Sequence, residues 1–218
     1  MASVIGKISK PEAQAYKKGR KLFLIPMFIG HSEDMPELQA LLERFWSEAD
    51  EHLNRLEESL GTISRIYHET VYASGEEGQN IIGAINPKGS EMLNKRYNSG
   101  AHIEPTEDRE LMEISSDWQR CLSIGLFSQN VRSIALDAYQ ASTRKRYEYV
   151  ASRINESLMP DESAVLVISQ NHGIQFPSDI EVFYVAPRAL NDLHKWIDNW
   201  VRNSSPTQEK SDVEESNS

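Results

Sequence analysis

Ser163-Ala-Val-Leu-Val-Ile168, the polar loop Gln170-Asn-His-Gly173, and the run Ile180-Glu-Val-Phe-Tyr-Val-Ala186 are the stretches that decide the fold. Both runs are rich in β-branched and aromatic residues, and the segment between them is rich in turn formers. Read together they are two strands joined as a pair. Pro187 closes the second run, and Leu190, Leu193, Ile197 and Val201 then recur at helical spacing. A sheet covered by helices follows from this stretch alone.

Near the other end, Lys21-Leu-Phe-Leu-Ile-Pro-Met-Phe-Ile29 is a continuous apolar run, the pattern of a strand buried on both faces. Pro26 places an edge or a bulge there, because proline cannot donate to the ladder. Asp34 and Glu37 have the spacing of a capping box around Pro36. Leu38, Leu41, Leu42, Phe45, Ala49, Leu53 and Leu56 continue as a helical stripe that Gly61 stops. Ile63 to Ala73 reads as the second strand, so the first half is a βαβ unit with parallel strands. Four helices follow: one from Ser74 ended by Pro87 or Gly89, one over about Ser90 to Asn98, one opened by Thr106 as cap, and a long one ending near Leu158. The expected architecture is α/β, a four-stranded mixed sheet in the order βαβ, helical block, ββα.

Three segments are expected: a flexible basic arm over residues 1–20, a single domain over 21–202 with its helical block at 76–158, and a disordered acidic tail over 203–218. The chain has 218 residues and net charge −10. Residues 1–21 hold six cations and one acid, a net +5, which leaves −15 for the rest. An acidic body disfavours broad nucleic-acid binding, while the arm permits a local contact. The longest apolar run, Leu22 to Gly30, is too short to span a bilayer, so no membrane partner is expected. Met1 to Gly19 has lysines but no apolar core of a secretory signal. Cys121 is the single cysteine, so no internal disulfide forms, and a cytoplasmic location is the default.

Two clusters carry chemistry. His68 and Glu69, with Glu76 and Glu77 a few residues on, place an imidazole and three carboxylates near the end of a strand. Such a set suits acid–base work or metal assistance. Against this, adjacent strand residues point to opposite faces, and Glu76 and Glu77 suit a helix N-terminus. The second cluster is basic: Arg144, Lys145, Arg146 and Arg153 flanked by Tyr147 and Tyr149, with Lys17, Lys18 and Arg20 from the arm. Cations interleaved with aromatics suit RNA phosphates and stacked bases. His172 and Asp179 flank the strand pair, where a plain hairpin loop competes with a pocket wall as their role, and the loop between the strands is long for a hairpin. No zinc-type spacing, nucleophile elbow or Walker loop is present, and nothing names a cofactor or a resident metal.

Arg65-Ile-Tyr-His-Glu69, Gly75-Glu-Glu-Gly78, Asp117-Trp-Gln-Arg-Cys121 and Gln175-Phe-Pro-Ser-Asp-Ile-Glu-Val-Phe-Tyr-Val-Ala-Pro187 resemble a family of prokaryotic proteins that has no established activity. The resemblance spans roughly residues 8–201 and implies no catalytic residues. A fainter likeness, over Tyr147 to Val201, is to the C-terminal domain of archaeal and eukaryotic-type peptide-chain release factors. The chain has no Gly-Gly-Gln, so peptidyl-tRNA hydrolysis by that route is not implied. The leading expectation is a binding protein whose macromolecular partner is RNA or the ribosome. The rival is a small metal-assisted, hydrolase-like enzyme built on His68 and its carboxylates. The third is a homo-oligomeric structural protein joined through its long helices.

Overall fold

The computed structural model describes residues 18–29 and 35–204. Residues 1–17 of the basic arm, Lys17 among them, the cap at Asp34 and the acidic tail beyond residue 204 lie outside the described residues. Five strands, β1 (Arg20–Pro26), β2 (Ile63–His68), β3 (His102–Ile103), β4 (Ser163–Ile168) and β5 (Ile180–Tyr184), form one sheet in the order β3-β2-β4-β1-β5. Every pairing is parallel. Six helices accompany them: α1 (Pro36–Leu60), α2 (Gly75–Ile85), α3 (Pro87–Asn98), α4 (Arg109–Ser123), α5 (Gln129–Ser157) and α6 (Arg188–Ser204).

The α/β class agrees with the sequence, and four helices lie within 75–157 as expected, but β3 interrupts the helical block expected over 76–158. The expected four-stranded mixed sheet is not found. β4 and β5 are not a hairpin, because β1 lies between them and pairs in parallel with both. The loop over 169–179 is long because it carries the chain over the end of β1 to the far edge. The fifth strand, β3, is two residues long and has no periodicity to read.

Parallel strands buried on both faces explain the continuous apolar runs. In β1, Phe23 and Ile25 face α1, α2, α3 and α6, while Leu22 and Leu24 face α5 and the 169–179 loop. β4 alternates in the same way, with Val165 and Val167 on the first face and Ala164, Leu166 and Ile168 on the second. Pro26 is the last residue of β1, where its missing donor breaks no pairing. β2 stops at His68, five residues before the expected end, because Thr70 turns the chain with φ +70°.

α4 begins two residues later than expected. Asp108, not Thr106, caps it by accepting from Leu111 N at 2.9 Å. Thr106 is instead buried, its hydroxyl accepting from His68 N at 3.0 Å. α5 leads directly into β4, so its C-terminal half packs on the sheet through Val150, Ile154 and Leu158. Its N-terminal half passes beyond the carboxyl edge and pairs with α4, where Ser115 and Thr143 hydroxyls meet at 3.2 Å.

The Gly75-Glu-Glu-Gly78 motif has a packing explanation. A Cβ at Gly78 would lie 2.5 Å from the Ala73 carbonyl oxygen and 2.8 Å from Ile103 Cγ2. The glycine thus lets α2 close onto β3. Gly78→Ala is expected to destabilise the protein by about 1–3 kcal/mol, read as a lower urea midpoint at unchanged slope.

Candidate functional site at the switch point of the sheet

β2 and β4 are neighbours, and their onward connections leave in opposite directions: β2 leads to β3 at one edge, β4 to β5 at the other. Parallel α/β sheets place ligands outside the carboxyl ends of two such strands. The residues after these strands meet here. Glu69 N donates to Val167 O at 2.9 Å, and Glu69 Oε2 accepts from Ser169 N at 2.8 Å and from its hydroxyl at 2.5 Å. Val71 O accepts from Thr106 N and Glu107 N at 2.8 and 2.9 Å, drawing the 104–108 segment alongside.

Arg146 of α5 reaches into this junction. Its Nε donates to Glu107 Oε2 at 2.8 Å, and its Nη2 to Glu107 Oε1 at 2.5 Å and Glu69 Oε1 at 3.1 Å. The Glu107, Glu69 and Arg146 side chains are only 1%, 7% and 12% exposed. Burial disfavours the Arg146 charge, but the Glu107 hydrogen bonds and both carboxylates outweigh it and hold the guanidinium above its ordinary range. Thr70 completes the turn with N–H donating to Glu107 Oε1 at 3.3 Å and hydroxyl to Glu69 O at 2.5 Å. A β-branched residue at φ +70° is strained, and such strain persists where surrounding contacts over-determine it.

His68 is an interior link. It is fully buried, and its Nδ1 lies 2.6 Å from Glu69 O. A carbonyl only accepts, so Nδ1 carries the proton and Nε2 accepts from the Asn86 amide at 3.4 Å. Asn86 Oδ1 in turn caps α3 by accepting from Gly89 N at 3.0 Å. Burial pushes the His68 pKa down, against the smaller opposing effect of Glu69. Native His68 therefore stays neutral where the unfolded chain would take up a proton. Stability is expected to be full above pH ~6.5 and to fall as pH drops below it. His172 and His52, also depressed by burial, act in the same sense. Urea midpoints between pH 7.5 and 5 measure this, and His68→Gln should flatten the curve without abolishing it.

Glu76 and Glu77 are exposed in the first turn of α2, where acids favour the helix dipole. No hydrogen bond or ion pair joins them to His68 or Glu69. Among the described residues no group of three or more His, Cys, Asp or Glu is placed to hold a metal ion.

The basic cluster is divided by helix geometry, since each residue turns the helix by about 100°. Arg146 and Arg153, seven apart, share the inner face; Arg153 contacts Pro105 O at 3.4 Å, Glu104 at 3.9 Å and Glu156 at 3.2 Å. Arg20 is held by Asp179 in two bonds of 2.8 Å and by Asn155 O at 2.9 Å. Lys18, Arg144 and Lys145 are exposed and make no hydrogen bond or ion pair among the described residues.

Arg144 borders a groove of about 680 Å³ between α5 and the 171–175 loop, within the size of small-ligand sites. Tyr139, Thr143 and Tyr147 line one wall, and Gly173 and Gln175 the other. A Cβ at Gly173 would sit 3.3 Å from the Tyr147 ring, so glycine lets the loop lie on the aromatic. Burial and then the Glu69 charge raise the Tyr147 pKa, so its hydroxyl stays protonated. A second groove of about 320 Å³, between α1 and α3, is bordered by Glu43, Asp50, Lys88 and Lys95, and these pair with one another.

Glu107, Ser169 and Thr70 were not marked by the sequence as site residues. Glu107 reads there as an acid of a helix first turn, and only the pairing of the 104–108 segment with Val71 buries it. No family model matches the chain, and no curated protein or solved structure gives a match either.

Proposed function

We propose that the protein is a binding protein whose ligand site is the carboxyl edge of the sheet between β2 and β4, opening into the groove beside α5. The carrying observation is that Tyr147, which lines a groove of about 680 Å³, follows Arg146 on α5 and senses the charges of Glu69 and Arg146 in the strained junction at Thr70, where two strand connections diverge. A paired set of charges beside an aromatic-lined groove suits the orientation of a small ligand. The metal-assisted alternative draws no support from this geometry: His68 is interior and neutral, and Glu76 and Glu77 stand in solvent.

The reading is tested by screening small molecules against isotope-labelled protein. Ligands should shift amide signals of Ser169, Gly173 and Tyr147 first. Hits that move only residues of the α1–α3 groove would remove it.

A second reading, self-association through α4 and α5, is favoured by a separate observation. Ile124 and Phe127 at the tip of this helical pair are 74% and 105% exposed, with Val131 and Ile134 beside them at 47% and 57%. Apolar side chains so gathered mark an interaction surface. Residues 117–138 carry Asp117, Asp137, Arg120 and Arg132, a net charge of zero. Two copies of an otherwise acidic chain can meet there without like-charge repulsion. Light scattering should show a dimer that Phe127→Asp dissociates; a concentration-independent monomer would exclude it.

A further inference from the structure

We infer that the α5 groove takes a nucleotide, with the base against the tyrosines and the phosphate on Arg144. The inference rests on the reading of this groove as the ligand site and adds the ligand class. Three features bear on the class. Tyr139 and Tyr147 both line the groove and both are half-buried, so they are held in place yet accessible. They stand two turns apart, about 12 Å along α5. The loop at Gly173 backs one side of the Tyr147 ring. Aromatic rings so held are platforms for a planar base.

Arg144 supplies the charge. It borders the groove, is exposed, and pairs with no acid, unlike Arg146 and Arg153 on the same helix. An unpaired guanidinium one turn from an aromatic suits phosphate, which it holds in a bidentate fork.

Glu148, the next turn beyond Arg144, also lines the groove. It would oppose a simple aromatic acid, whose negative charge lies close to its ring. In a nucleotide the sugar separates ring from phosphate, and a carboxylate beside it accepts from the ribose hydroxyls. Gln140 and Gln175 add amides that donate and accept, as base edges require.

The same chemistry is offered by a free mononucleotide and by one residue of an RNA strand. The experiment is calorimetric titration of the full chain with AMP, UMP, adenosine, ribose 5-phosphate and an eight-residue single-stranded RNA, at two salt concentrations. A mononucleotide is expected to bind, with adenosine and ribose 5-phosphate each weaker by on the order of tenfold. Arg144→Ala should abolish the preference for AMP over adenosine. Tyr147→Leu should weaken both alike, by on the order of tenfold. Both variants are checked by thermal melting.

RNA binding much tighter than the mononucleotides, steeply salt-dependent and lost in Arg144→Ala, would assign the nucleotide to a strand; equal affinity would assign it to the free pool. Absence of binding by every nucleotide probe, or AMP binding indifferent to Arg144→Ala, would overturn the inference. If other small molecules then shift Gly173 and Tyr147 signals, the groove stands as a site and only the nucleotide falls.

Discussion

Arg146→Ala is expected to destabilise the protein by about 3–5 kcal/mol, the range for removing one partner of a buried ion pair. The loss comes less from the pair's own attraction than from what remains. Glu107 is 1% exposed and Glu69 7%, and without the guanidinium both carboxylates stay in the interior facing each other. Two like charges left unpaired in a poorly solvated site repel each other and lack the hydration they would have in water. Adding Glu69→Gln and Glu107→Gln to Arg146→Met removes every charge at once. That triple variant should be more stable than Arg146→Ala alone, which separates uncompensated charge from lost packing. Urea unfolding at pH 7.5 measures both variants. Equal stability of Arg146→Ala and wild type would show that the junction does not hold these loops.

Phe45→Ala is the second large effect, also about 3–5 kcal/mol. Phe45 is fully buried and stands between Phe28 and Trp46, with ring centroids 5.1 and 5.0 Å away and edge-to-face tilts of 74° and 75°. Truncation leaves a cavity between α1 and the end of β1 that these two aromatics can only partly fill. For a chain of this size the melting temperature should fall by on the order of 10 °C. The effect should add to that of Arg146→Ala, because Phe45 lies in the cluster under α1, whereas Arg146 is on α5, the helix that packs on the opposite face of the sheet. Marked non-additivity would contradict that separation.

These two positions also show how much of the molecule was legible in the sequence. Phe45 sits in a stripe at helical spacing, and periodicity marks its face directly. The stripe of α6 is marked in the same way, and the unbroken apolar runs of β1 and β4 mark strands buried on both faces. Arg146 was legible as a cation but not as an interior one, since neighbouring residues on a helix point in different directions and the acids that select among them lie far away in sequence. Glu69 and Glu107 come from separate loops that only the sheet brings together. Strand direction was lost for a related reason: β4 and β5 carry the composition of a hairpin, and only the insertion of β1 between them makes them parallel. Thr70 gave no sign of its turn, because threonine is a residue that composition assigns to strands.

That insertion bears on how the chain is made. β1 starts at Arg20, yet both strands that flank it, β4 and β5, begin at Ser163 and Ile180. During synthesis an apolar strand with two bare edges leaves the ribosome long before either neighbour exists. Nascent chains halted ahead of Ser163 therefore display a sticky β template, and productive folding is deferred until translation is nearly finished.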